Sequence, residues 1–265
     1  MAVQWKQDPF LRWGFRVAQQ PARLALNRIA IDVRVAARMS RLHKLEQAAP
    51  FVWDSIPNKS KPYSAFGLGI GYVENHSASE VPAEMIPEKL AIFFDFGRGF
   101  SMSGGSQRVV SLPGFRRNAI WTGIGMGRAY RSWPTYIENQ EGEANPHPGV
   151  DRGMGAMIWL GSGLDPVTAA AYVHSFPQSR HEQIWRGVGF SAAFTTELER
   201  HQVDLLMRSS GPAAVHFTRG AAFGMEQRRI LGIVTSETER SCNLISGVGL
   251  DGFTHRFASD FGDWL

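Results

Sequence analysis

Cysteine is nearly absent from this chain: Cys242 is the only one in 265 residues. A lone thiol excludes an intramolecular disulfide framework and points to a reducing, cytoplasmic setting. Long apolar runs are missing too. No stretch approaches the roughly 20 residues that a spanning helix requires, so no transmembrane segment is expected. Charges and Pro9 interrupt the first sixteen residues, where a secretory signal would need a continuous apolar core, and export is not expected either. The chain has no Walker lysine loop, no Gly-x-Ser-x-Gly elbow and no His-Glu-x-x-His helix. Its eight histidines are scattered, without convincing ligand partners at helical spacing, so neither a metal centre nor a cofactor is expected.

Acidic residues are scarce at the start of the chain. Residues 1–48 hold nine Lys or Arg against three acids, a local charge of +6, while the whole chain carries +4. Within this stretch Arg34, Arg38 and Arg41 share one face of an expected helix, and Ile31, Val35, Met39 and Leu42 share another. Two readings follow. The helix packs its apolar stripe onto the body and leaves the arginines solvated, or the arginines meet an anionic surface such as lipid headgroups, nucleic acid or an acidic partner, which would place the protein peripherally at a membrane. The helical pattern runs to about Ala49, where Pro50 should stop it. A turn-rich connector, Pro57 to Pro62, then separates a basic arm (1–56) from a body (63–265).

Glycine, by contrast, is plentiful and periodic. Ile120-Trp121-Thr122-Gly123-Ile124-Gly125 returns as Ile184-Trp185-Arg186-Gly187-Val188-Gly189, each copy after a basic, polar lead-in. A second element recurs as Arg98-Gly99, Arg152-Gly153 and Arg219-Gly220, and Gly67-Leu68-Gly69-Ile70-Gly71 is a fainter echo upstream. Elements spaced roughly 25 to 35 residues apart are on the scale of one helical hairpin in a solenoid. The expected fold is therefore all-α: stacked helical hairpins with an amphipathic basic N-terminal helix. Glycine runs of this kind also resemble dinucleotide loops, but those must follow a strand within a βαβ unit.

The helix signals sharpen in the second half. Asp165-Pro166 offers an N-cap followed by proline at the first helical position, and Pro177 closes that helix. Ser179 with Glu182 three residues on predicts a capping box for the helix carrying Ile184, Trp185 and Val188. Further helices are expected over Val203–Arg208 and from Ala213 to about Arg229, and Trp133–Val150 is expected to be a long loop. Glycines inside helices cost roughly 1 kcal/mol each relative to alanine. Trp121, Gly123, Gly125, Trp185, Gly187 and Gly189 are accordingly expected to mark close helix crossings, with tryptophan filling the space beside bare backbone. Arg98, Arg152 and Arg219, each directly before a glycine, are expected at equivalent levels of their repeats, either binding carboxylates or phosphates or satisfying helix carbonyls.

The segments Arg180–Phe194 and His216–Phe223 resemble an uncharacterised family, a domain of unknown function linked to enediyne polyketide biosynthesis, over about Asp151–Arg229. Members carry a W-x-G-V-G-x-A-x-x-Y segment and a later G-A-A-F segment. The resemblance implies an accessory role in specialised metabolism and brings no catalytic residues with it. The Trp121-x-x-Ile124-Gly125 and Trp185-x-x-Val188-Gly189 spacing also resembles the opening of tetratricopeptide repeats. The function expected is a non-catalytic scaffold or binding protein whose repeat groove holds a protein partner or an apolar metabolite; the alternative is a polyketide-tailoring enzyme with a pocket built across several repeats.

Overall fold

The structure, a computed structural model, describes residues 20–75, 85–103, 114–131 and 146–264, and these are helical with no strand among them. The helices are α1 (Gln20–Leu42), α2 (Leu45–Ser55), α3 (Lys61–Asn75), α4 (Glu88–Ser101), α5 (Gly114–Arg131), α6 (Pro148–Gly161), α7 (Pro166–His174), α8 (His181–Thr195), α9 (Arg200–Ser210), α10 (Ala214–Ile230), α11 (Ser236–Ser246) and α12 (Leu250–Arg256), followed by a 3-10 segment, Ala258–Asp263. Most of the loop expected over Trp133–Val150 lies outside the described residues.

Local chemistry accounts for several boundaries. The Asp165 carboxylate accepts from the Thr168 amide and Pro166 opens α7, as its sequence predicts. Glu199 and Gln202 form a reciprocal capping box at α9. Two expectations fail. Ser179 caps nothing and lies within a 3-10 turn, Gln178–Arg180, that leads into α8. Pro50 sits inside α2, and the chain breaks earlier, at the extended Lys44. One proline in a short helix removes a single ladder bond, a cost that burial of Leu45, Ala48, Ala49 and Val52 offsets.

Two layers emerge. The helices α1, α3, α4, α5, α6, α8 and α10 pack side by side in chain order. The shorter α7 and α9 are return strokes between successive members; α7 meets α9 and α9 meets α11 in an outer row. Each inner helix from α3 to α8 carries a Gly-x-Gly pair, and residues two apart on a helix point to nearly opposite sides. One glycine therefore faces the preceding helix and the other the following one. A methyl group placed on Gly97 would overlap the carbonyl of Phe66, and one on Gly99 the carbonyl of Ile120. Gly123 and Gly125 meet Phe96 and Val150, Gly153 and Gly155 meet Thr122 and Ile184, and Gly187 and Gly189 meet Arg152 and Phe217. Bare backbones thus approach closely enough for Cα–H···O contacts with neighbouring carbonyls. Contacts ascend together, Gly67 with Val33 and Gly71 with Ala37, Gly123 with Phe96 and Gly127 with Phe100, so these neighbours run parallel.

The array curls on itself. Tyr63 on α3 and Phe93 on α4 both reach Phe194 on α8, at ring centroid distances of 6.0 and 5.0 Å, and Phe96 meets Phe190 at 5.9 Å. Helices three or four steps apart in the array thereby share an interior. Over its described residues the expected arm is the first member of this array. Its packing face differs from the expected one: Ile31 (49%), Val35 (51%) and Leu42 (65%) are exposed, while Leu26, Ala36, Ala37 and Ser40 are buried. Gly67 and Gly71 bring α3 so close that only small residues fit opposite them.

Candidate functional site

Numbering each inner helix from the first glycine of its pair aligns the whole array. The residue one before that glycine is Phe66, Phe96, Thr122, Arg152, Arg186 and Arg219 in α3, α4, α5, α6, α8 and α10. From Phe66 to Arg186 its carbonyl receives the next helix's glycine; the Phe66 and Phe96 side chains line the central cavity, and the Arg152 and Arg186 guanidiniums both meet Trp264. One half of this level is aromatic and the other is cationic.

The aromatic half encloses a cavity of about 1030 Å³. Phe66, Phe93, Phe96, Phe100, Phe190 and Phe194 are its main walls, with Met126 and Met157 completing them and Ala156 leaving room beside them. Ridges of aromatic side chains from α3, α4 and α8 give it flat, polarizable surfaces. Tyr63 also lines it, and burial pushes its phenol up, so it stays protonated. Helix α1 contributes the open edge, where Ile31 and Val35 alternate with Arg34, Arg38 and Arg41.

In the cationic half, the 3-10 segment after α12 folds back onto the arginines. Arg186 donates to the Asp263 carboxylate at 2.8 Å and to the Asp260 carbonyl at 2.7 Å. Arg152 donates to the Asp263 carbonyl at 2.6 Å and to Gln183 at 3.0 Å, and Arg219 lies 3.2 Å from the Asp260 carboxylate. Trp264, fully buried, lies beneath the Arg152 and Arg186 guanidiniums, stacks on Phe223 at 4.7 Å and meets Phe190 at a tilt at 4.9 Å. Burial, and then the neighbouring Arg186 charge, bring Arg152 down to about 10, still protonated at neutral pH. The same cationic wall acts on two histidines. His147 and His216 both titrate below the ordinary value, first because they are partly buried, with Arg152 and Arg117 adding to the effect at His147. At His216 the Glu182 carboxylate opposes the shift while Arg219 and Arg186 reinforce it.

Arg98 departs from this group. It precedes the second glycine of its pair, not the first, and so faces away from the interior. Its guanidinium donates to Asp95 at 3.0 Å, and Arg116 of the next helix joins the same carboxylate at 2.8 and 3.1 Å. An equivalent link recurs one pair of repeats later, where Arg180 donates to Asp151 at 2.9 Å. The basic lead-ins thus supply ion pairs between successive inner helices. The two elements that alternate in the sequence are one helix type, with Asp95 and Asp151 standing where α5 and α8 carry Trp121 and Trp185. Trp121 stacks on His147 at 4.8 Å, and Trp185 is buried edge-on to Phe217. Arg186, which completes the cationic wall, is the member that sequence reading passes over. Aligning Arg152-Gly153, Arg186-Gly187 and Arg219-Gly220 on the first glycine would have found it.

A family model described as "Protein of unknown function (DUF1702)" matches residues 119–258, which is 140 of the 265. No curated protein and no solved structure matches.

Proposed function

The chain belongs to the DUF1702 family, and from its own geometry we propose that it is a binding protein for an elongated apolar metabolite held inside the helical array. The cavity of about 1030 Å³ carries this reading, because its size is at the upper end of small-molecule sites and its walls are aromatic and aliphatic with few polar groups. Flat aromatic walls suit a conjugated or polyunsaturated chain. The link to enediyne polyketide biosynthesis implied by the sequence resemblance agrees with such an occupant, and the role proposed is that of an accessory carrier. Diphenylhexatriene, a rod-shaped conjugated hydrocarbon that fluoresces on leaving water, tests it. One molecule should bind per chain, and Ala156→Trp, which places an indole in the cavity, should remove at least about 90% of the signal. A folded Ala156→Trp variant that binds the probe undiminished would sink the reading.

The open edge favours an anionic membrane surface as the place of loading. Leu24, Ile31, Val35 and Leu42 are exposed along α1 beside Arg34, Arg38 and Arg41, the arrangement of a helix lying in a lipid interface. No described helix is long and apolar enough to cross a membrane. Sedimentation with vesicles containing phosphatidylserine should fall steeply with salt and be lost when the three arginines become glutamine. Binding that survives both changes would rule this surface out.

A further inference from the structure

We propose that Arg152, Arg186 and Arg219 form a carboxylate-binding subsite for the metabolite, and that Asp260 and Asp263 of the C-terminal segment occupy it here as internal counter-ions. The inference rests on the cavity reading above and extends it to the class of ligand: a carboxylate on an apolar chain.

Three observations carry it. First, the arginines occupy one level of three adjacent parallel helices, at the same register as the cavity-lining Phe66 and Phe96. The arginines do not line the cavity itself: Arg152 and Arg186 stand one helical turn before the cavity-lining Ala156 and Phe190, and Trp264 lies on both guanidiniums and against Phe190. Second, two carboxylates answer three guanidiniums: Arg219 Nε pairs with Asp260 at 3.2 Å, while the Nε atoms of Arg152 and Arg186 are buried without a hydrogen-bond partner. Arg152 and Arg186 are each 3% exposed, and guanidinium donors left unmatched in such a place are suited to a planar carboxylate that accepts two at once. Third, the carboxylates lie at the exposed side of the segment. No residue of Ala258–Asp263 is buried, and the Asp263 side chain is 59% exposed, while Trp264 and the contact of Phe261 with Phe223 anchor the segment.

In this arrangement the tail competes with the ligand. A carboxylate that reaches the arginines from the cavity displaces Trp264 together with Asp260 and Asp263, while the apolar chain keeps its place along the aromatic wall. The exchange puts one carboxylate in place of two, and the displaced aspartates keep their charge on the exposed tail, so no buried carboxylate is left unpaired.

The test uses dodecanoate and dodecanol, which differ only in the head group, on the full chain. Dodecanoate should bind more tightly than dodecanol. Asp260→Asn/Asp263→Asn should tighten dodecanoate several-fold, and Arg186→Gln should weaken it about tenfold, the worth of one charge-assisted pair. Dodecanol should respond to neither set. Hydrogen exchange over residues 258–264 should quicken on adding dodecanoate and not dodecanol, a readout that stands even if Arg186→Gln folds poorly. Dodecanol binding with no charge response in dodecanoate overturns the carboxylate subsite and spares the cavity reading. Failure of both probes to bind overturns the two together.

Discussion

The first and second halves of the inner array share a backbone and differ in what they show the interior. In α3 and α4 the residue before the first glycine is Phe66 and Phe96; in α6, α8 and α10 it is Arg152, Arg186 and Arg219. The glycines beside these residues do the same work throughout, each accepting a neighbour's carbonyl against its bare backbone. Packing is thus carried by one set of positions and chemistry by the adjacent set. A repeat built this way lets the interior be rewritten helix by helix without touching the contacts that hold the array together.

The largest test of that separation compares two carboxylates. Asp95, 3% exposed, lies between Arg98 and Arg116 in the packing layer. Asp95→Ala strands a buried guanidinium and should cost about 3–5 kcal/mol. Asp263→Ala removes an exposed carboxylate and leaves buried Arg186 its bond to the Asp260 carbonyl, so it should cost less, about 1–2 kcal/mol. Urea midpoints at constant slope measure both, and equal costs would erase the distinction between the layers.

The glycines give the next effect. Gly99→Ala in the aromatic half and Gly187→Ala in the cationic half each drive a methyl into a backbone carbonyl that cannot swing aside, and each should cost about 3 kcal/mol. Gly252→Ala in α12, where the nearest atom would lie 3.7 Å away, should be neutral or stabilise by up to about 1 kcal/mol. A large difference between the two halves would show that the repeat is not energetically uniform.

The smallest effect belongs to the cationic half alone. His147 and His216 titrate below 6.5 in the folded chain, so as pH falls the unfolded state takes up their protons first. Their contribution to stability is complete above 6.5 and is lost as pH drops from there towards their folded values. Tm should decline between pH 7 and 5.5, and His147→Asn/His216→Gln should flatten that decline. An unchanged slope would mean that these two histidines do not carry the pH dependence of stability.

Much of the architecture is written locally. A Gly-x-Gly pair recurring within helical patterns implies an all-α repeat, because the cost of glycine in a helix must be met by close packing. Asp165-Pro166 likewise reveals a helix start, since an N-cap bond spans only three residues. The face that each residue presents is a different matter. Residues two apart lie on opposite sides of a helix, so Arg98-Gly99 and Arg152-Gly153 read alike in sequence yet point to different layers. The α1 stripe misleads for a related reason, because the fit against Gly67 and Gly71 selects small residues over large apolar ones.

What the sequence by itself determined is the helical repeat, its period and its glycine seams, all of which depend on neighbours within a few turns. Tertiary structure alone decided which arginines share a wall and what fills it. Asp263 meets Arg152 and Arg186 across 111 and 77 residues, and no local pattern encodes a contact created only when the array curls around its own end.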